Sequence, residues 1–265
     1  MGYGRTFAWR ESGKGPAVVM IHGWSLSGRV FAEIAGKMSS DYRVLMPDLP
    51  GHGDSSPASS YSLENLATDL AEWLKAVAPC PLLVCGWSLG GMVAMQMAAG
   101  CDAHLQSLAL IATSPRFTRG KDWPFGLPAP EVKLLKRNLQ RNFQPTLGAF
   151  FTRMFTGEGL DTERLRAIRK FAIYPSRLPE LDVAQAILQI FSRQDQRQLL
   201  AKISNPVMVL HGTSDRITPV QAGRFLAGAI PGAVLKEYAG IGHAPFLSQP
   251  KPFVEDLRSF IGWIR

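Results

Sequence analysis

Between residues 82 and 99 the chain reads as a buried strand, a sharp turn and a helix with nothing to spare between them. Leu82-Leu83-Val84-Cys85 is followed at once by Gly86-Trp87-Ser88-Leu89-Gly90, and then by the apolar helical stretch Met92 to Ala99. A strand that reverses into a helix this abruptly brings two backbones close together, so small residues must flank the turn. The serine at its apex is then left projecting clear of the sheet. Such a unit belongs to a parallel, helix-covered sheet, and it presents the hydroxyl at the carboxyl ends of the strands.

The rest of the chain supplies that sheet. Ala17 to Ile21, Arg43 to Met46, Ser107 to Ile111 and Pro206 to Leu210 are further short apolar runs ending in turn residues, the pattern of parallel strands buried on both faces. Leu63, Leu66, Leu70, Trp73, Leu74 and Val77 recur at helical steps behind Ser62, a suitable N-cap. A doubly wound, mostly parallel α/β sheet is expected. The alternation stops at about Ser114. A proline-rich entry (Pro115, Pro124, Pro128, Pro130) leads into helical segments 134–143, 147–155, 163–173 and 183–191. The predicted organisation is a core of residues 1–113 and 199–265, with a helical cap at 114–198 lying over the strand ends.

A serine hydroxyl is a poor nucleophile at its ordinary pKa and needs a histidine base oriented by a carboxylate. On this kind of sheet the chain order is serine, acid, histidine. Of five histidines, His22 and His52 precede Ser88, His104 follows its helix closely and His211 ends a strand. That leaves His243, on the glycine-flanked loop Gly240-Ile241-Gly242-His243, after one more strand at 233–238. Asp215 follows the strand ending at Leu210 and is the candidate acid; a turn-forming aspartate is its other reading, and Asp182 is the alternative acid. The developing oxyanion needs N–H donors, for which Trp24, after His22-Gly23, and Leu89, after the nucleophile, are placed. Trp24 and Trp87 would wall the serine, Trp87 more as a core aromatic. Asp48-Leu49-Pro50-Gly51-His52-Gly53-Asp54-Ser55 fits neither a dinucleotide nor a P-loop spacing and is read as structural.

Charge is concentrated in the cap. Residues 114–200 hold fifteen Lys or Arg against eight Asp or Glu, whereas the remaining chain is nearly balanced. A basic face of that size attracts acidic partners, although a solvated surface would look the same. Cys80, Cys85 and Cys101 lack ligand spacing and are expected to be structural thiols. No metal cluster or cofactor motif is recognised, so no cofactor is expected. Residues 1–15 carry no leader-like apolar segment, and no run of about 18 apolar residues occurs. A cytoplasmic monomer is the expectation.

His22-Gly23-Trp24, Asp48 to Ser55, Gly86 to Gly91, Ser214-Asp215 and Gly242-His243-Ala244-Pro245-Phe246 together resemble the α/β-hydrolase superfamily over essentially the whole chain. Within it, Ile21 to Trp24, Gly86 to Gly91, Ser114-Pro115-Arg116-Phe117, Asp122-Trp123-Pro124 and His243 to Phe246 are similar to the pimeloyl-[acyl-carrier protein] methyl ester esterases. The resemblance implies Ser88, Asp215 and His243 as the triad, with Trp24 and Leu89 at the substrate. It implies that Phe150, Phe151, Thr152, Arg153 and Met154 line the acyl channel. An acidic acyl carrier protein is the implied partner, docked by cap arginines. Pro145 and Ala149 stand where such arginines are expected, so Arg137, Arg141, Arg153, Arg164, Arg166 and Arg169 become the candidates. A general short-chain carboxylesterase and a hydrolase-fold ligand receptor with little turnover are the competing readings.

Overall fold

The computed structural model describes residues 7–100, 105–172 and 178–264; Cys101 and His104 lie outside them. In chain order the elements are β1 (Trp9–Ser12), β2 (Ala17–Ile21), α1 (Ala32–Met38), β3 (Arg43–Pro47), α2 (Leu63–Val77), β4 (Leu83–Trp87), α3 (Leu89–Gly100) and β5 (Leu108–Ile111). Four helices follow, α4 (Ala129–Arg141), α5 (Phe143–Arg153), α6 (Thr162–Ala172) and α7 (Leu181–Arg193). The chain closes with β6 (Val207–Gly212), α8 (Val220–Ala229), β7 (Val234–Tyr238), α9 (Pro245–Ser248) and α10 (Pro250–Ile264).

The strands form one sheet in the order β1-β3-β2-β4-β5-β6-β7, parallel except for β1. The apolar runs behave as their composition requires: β4, β5 and β6 are buried along their whole length. The edge strands differ. β1 alternates exposed and half-buried residues, and β7 leaves Val234 and Leu235 open to solvent. α2 begins where Ser62 Oγ accepts the Asn65 N–H at 3.0 Å and buries Leu63, Leu66, Leu70 and Leu74 on one face. Each fully buried leucine of that face contributes roughly 1.5–3 kcal/mol.

β5 and β6 are neighbours in the sheet, with Leu108 opposite Val207, so α4 to α7 leave and re-enter the core at adjacent strands. Two arginines and two aspartates join the ends of this insertion. Arg116 reaches Asp122 at 2.9 Å and Asp195 at 3.2 Å, while Arg197 pairs with Asp195 at 2.6 Å and also with Asp122. α4 starts five residues earlier than the expected 134 because Pro128 precedes it and Pro130 occupies its first turn. α5 starts four residues before the expected 147, with Pro145 its third residue. Proline is tolerated there because first-turn N–H groups have no intrahelical acceptor. Among the described residues no helix is long and apolar enough to cross a membrane.

Candidate active site

Ser88 occupies the single residue between β4 and α3, with φ of +54°. A side-chain-bearing residue is strained in that region, and the surroundings hold it there. Ser88 N–H donates to Ile111 O at 2.9 Å, and its carbonyl accepts from Thr113 Oγ1 at 2.7 Å. The flanking glycines are a matter of space. A Cβ at Gly86 would fall on the Gly90 carbonyl, and one at Gly90 on the Ile21 carbonyl. The turn therefore exists only with hydrogen at both positions.

The loop after β7 carries His243, fully buried, and the loop after β6 carries Asp215. Their side chains meet, with 2.8 Å between His243 Nδ1 and Asp215 Oδ2. Burial alone would push the Asp215 carboxyl up, but His243 and His211 beside it reverse this and hold it below the ordinary carboxylate range. An ionised carboxylate can only accept, so Nδ1 carries a hydrogen, and in the neutral imidazole the lone pair is on Nε2. That Nε2 is buried without a hydrogen-bond partner among the described residues. The other oxygen of Asp215 accepts the N–H groups of Ile217 (2.7 Å) and Thr218 (2.9 Å). One oxygen of Asp215 thus closes the turn that follows it, and the other meets His243. Asp182, by contrast, is exposed at the start of α7.

Thr218 was not singled out by the sequence, yet its hydroxyl lies 2.9 Å from Asp215 Oδ2, 2.9 Å from Ala112 O and 3.2 Å from His243 Nδ1. Its only sequence signal is the Asp-x-x-Thr spacing of a side-chain-stabilised turn. His211 sits behind the aspartate, donating from Nε2 to Thr218 O at 2.7 Å and standing 3.4 Å from Asp215 Oδ2.

The loop between β2 and α1 comes up against the serine: a Cβ on Gly23 would lie 3.4 Å from Ser88 Cβ. Trp24 follows and lines one cleft with Leu89, the first residue of α3, where a helical N–H has no intrahelical acceptor. Two buried histidines fix this loop to the Asp48–Ser55 turn. His22 Nε2 accepts the Leu49 N–H at 2.9 Å and its Nδ1 donates to Gly23 O at 2.8 Å. His52 Nε2 accepts the N–H of Ser25, itself at φ +57°, at 3.2 Å. Burial, reinforced by His22, pushes His52 down to about 3, so it remains a neutral acceptor at physiological pH. Asp48 Oδ1 completes the junction by accepting the Gly28 N–H at 2.7 Å.

A narrow cleft opens on Ser88. Its walls are Trp24, Leu89, Met92, Phe117, Phe150, Met154 and Phe191, with Thr113, Ser114 and Thr218 as polar points. Trp24 meets Phe150 edge-on at 5.2 Å and donates from its indole to Ala184 O of α7 at 2.9 Å, so core and insertion close the cleft together. Trp87 is a core aromatic whose indole donates to His243 O at 2.8 Å. Cys85 is buried and its thiol pushed up by burial, while Cys80 is exposed.

Residues 16–250 match the α/β-hydrolase fold family. An esterase from Exiguobacterium antarcticum superposes with a TM-score of 0.90 at 23% identity, covering 98% of this chain and 96% of that one, a likeness of fold. Closer in sequence is the pimeloyl-[acyl-carrier protein] methyl ester esterase of Chromobacterium violaceum, 38% identical over 92% of this chain and 94% of that protein. The protein of that name from Nitrosomonas europaea is 37% identical, again over 92% and 94%. The chain belongs to the family of pimeloyl-[acyl-carrier protein] methyl ester esterases. It is an α/β hydrolase acting on carboxylic esters.

For an esterase of this family, the insertion residues expected from the sequence divide by helix face. Phe150 and Met154, one turn apart on α5 and its end, face the Ser88 cleft. Phe151 lines a neighbouring compartment that shares Trp24, Phe150 and Met154 with the first. Thr152 and Arg153 do not join them: Thr152 is exposed and accepts from Arg169 at 2.7 Å, and Arg153 pairs with Glu131 at 2.8 Å. Five consecutive residues of a helix do not line one channel, because the helical period returns only every third or fourth residue to a face. The arginines also divide. Arg164 is spent on Glu33 (2.7 Å) and Leu247 O (2.6 Å), tying α6 to the core, whereas Arg137, Arg141, Arg166 and Arg169 are exposed.

Proposed function

We propose that this esterase cleaves the methyl ester of a pimeloyl chain carried on acyl carrier protein, with Ser88 as nucleophile, His243 as base and Asp215 as its orienting acid. His243 Nε2 takes the Ser88 proton as Oγ attacks the ester carbonyl; the N–H groups of Trp24 and Leu89 receive the negative charge on the carbonyl oxygen. Collapse of the tetrahedral intermediate expels methanol, protonated by His243. Water, deprotonated by the same nitrogen, then releases the free carboxylate and restores Ser88. No cofactor enters the scheme.

The reading is supported by the buried Asp215–His243 hydrogen bond of 2.8 Å, which leaves His243 Nε2 without a partner, and by a serine held at φ +54° in the wall of an apolar cleft. The names of the relatives supply the substrate. In the same reading residues 114–198 form a cap, Phe150 and Met154 line the acyl path, and Arg137, Arg141 and Arg166 meet the acidic carrier outside. A monomeric enzyme would meet its carrier in the cytoplasm. The thioester to the carrier survives because the chain threads past the cap with only its far end at Ser88.

Incubation with pimeloyl-carrier methyl ester, followed by mass analysis of the carrier, tests this. Loss of one methylene mass, corresponding to methyl ester becoming acid, is expected with wild type and not with Ser88→Ala. An untouched carrier ester alongside rapid hydrolysis of simple esters would favour the general carboxylesterase.

A further inference from the structure

The insertion does more than roof the cleft, because it receives two consecutive N–H groups of the loop that bears His243. Met154 O, at the end of α5, accepts the His243 N–H at 2.9 Å. Four residues on, Glu158 Oε1 accepts the Gly242 N–H at 2.8 Å. The approach is close enough that a Cβ on Gly242 would strike Met154 O and the Glu158 carboxylate. Glu158 stands between Gly157 (φ +90°) and Gly159 (φ +66°), a turn that points the carboxylate inward. On the other side Trp87 holds the His243 carbonyl, so the core fixes one end of this residue and the insertion the other.

We propose that Glu158 is a positioning residue for His243, acting through the Gly242 N–H to lock the histidine loop to the seated insertion. The proposal rests on His243 being the base of Ser88. Its physical basis is that general-base catalysis depends steeply on where the accepting nitrogen stands, whereas binding of the acyl chain depends on the cleft walls, which Glu158 does not line. Burial also pushes the Glu158 carboxyl above its ordinary value, with Asp215 near by, so the chain keeps an acid there against its own solvation. Met154 joins the two functions, its side chain in the cleft wall and its carbonyl on the histidine. Displacement of α5 would therefore loosen the base as it opens the site.

The test compares Glu158→Ala, which removes the acceptor, with Glu158→Gln, whose amide oxygen can still take the Gly242 N–H. Steady-state hydrolysis of a small aryl ester and the rate at which a fluorophosphonate labels Ser88 are measured for both. In Glu158→Ala, kcat and the labelling rate should fall together by about tenfold, with KM within about twofold. Glu158→Gln should stay within about threefold of wild type. Unchanged kcat in Glu158→Ala, a loss confined to KM, or equal impairment of both variants would overturn the proposal. If the alanine variant does not fold, Glu158→Asp, which withdraws the acceptor by one methylene, should show the same fall in kcat at constant KM. A Ser88→Ala control separates the two levels, since turnover there would refute the active-site reading whatever Glu158 does.

Discussion

Asp215→Asn is the substitution whose outcome the geometry fixes most tightly. One carboxylate oxygen already accepts two backbone N–H groups, from Ile217 and Thr218. An asparagine must keep its carbonyl oxygen there, because its NH₂ facing those donors would leave three unpaired polar groups in a buried site. The NH₂ is then turned toward His243 Nδ1, where the carboxylate now accepts at 2.8 Å. Two donors cannot share one hydrogen bond, so the imidazole moves its hydrogen to Nε2 and loses the lone pair that the proposed mechanism requires. The expected loss in kcat is about 10³- to 10⁴-fold, or roughly 4–5.5 kcal/mol of transition-state stabilisation, with KM little changed because no cleft wall has moved. Initial-rate kinetics on an aryl ester, with thermal unfolding to verify the fold, would measure it. A folded Asp215→Asn enzyme retaining more than about a tenth of wild-type kcat would refute the tautomer argument.

Three further outcomes follow from the structure. Phe150→Ala removes the wall shared by the two compartments and should shift preference toward longer acyl chains, by up to about fourfold in relative kcat/KM per added methylene, read from an ester series. Arg197 lowers the carboxyls of Asp122 and Asp195 by hydrogen bonding. A carboxyl lowered in the folded state stabilises it above the ordinary carboxylate pKa of about 4, and this fades as pH falls from there through the lowered value, so the difference in Tm between wild type and Arg197→Ala should shrink from about pH 6 to pH 3; a constant difference would contradict this. The basic insertion leads us to expect that kcat/KM on a carrier-bound ester falls about tenfold or more between low and moderate salt, while that on a small ester holds within about twofold. Equal salt sensitivity would remove the docking role.

The sheet was legible because its central strands are buried on both faces and so appear as unbroken apolar runs. β1 was not, since Trp9-Arg10-Glu11-Ser12 lies at an edge with charged residues facing solvent. α10 opens with Pro-Lys-Pro and the helices of the insertion carry early prolines, which in sequence look like interruptions but in a first turn are harmless. The residues of the proposed triad, Ser88, Asp215 and His243, stand out through short local patterns in the chain order of this fold. Thr218, His52 and Glu158 do not, because what they do depends on partners brought up by the tertiary structure. Glu158 meets Gly242 across 84 positions and His52 meets Ser25 across 27. The turn from Asp48 to Ser55, read from sequence as structural, is structural in a particular sense: through His22, His52 and Asp48 it holds the loop that carries Trp24.

The central claim, that Ser88 acts as a covalent nucleophile served by His243, is tested most directly by quenching a single turnover. Wild-type protein mixed with a small ester and stopped in acid within milliseconds should yield a peptide containing Ser88 heavier by the acyl group. The matching burst of alcohol should be absent in Ser88→Ala and slowed in parallel in His243→Ala. Full hydrolysis without an adduct on that peptide, or persisting in Ser88→Ala, would contradict the account.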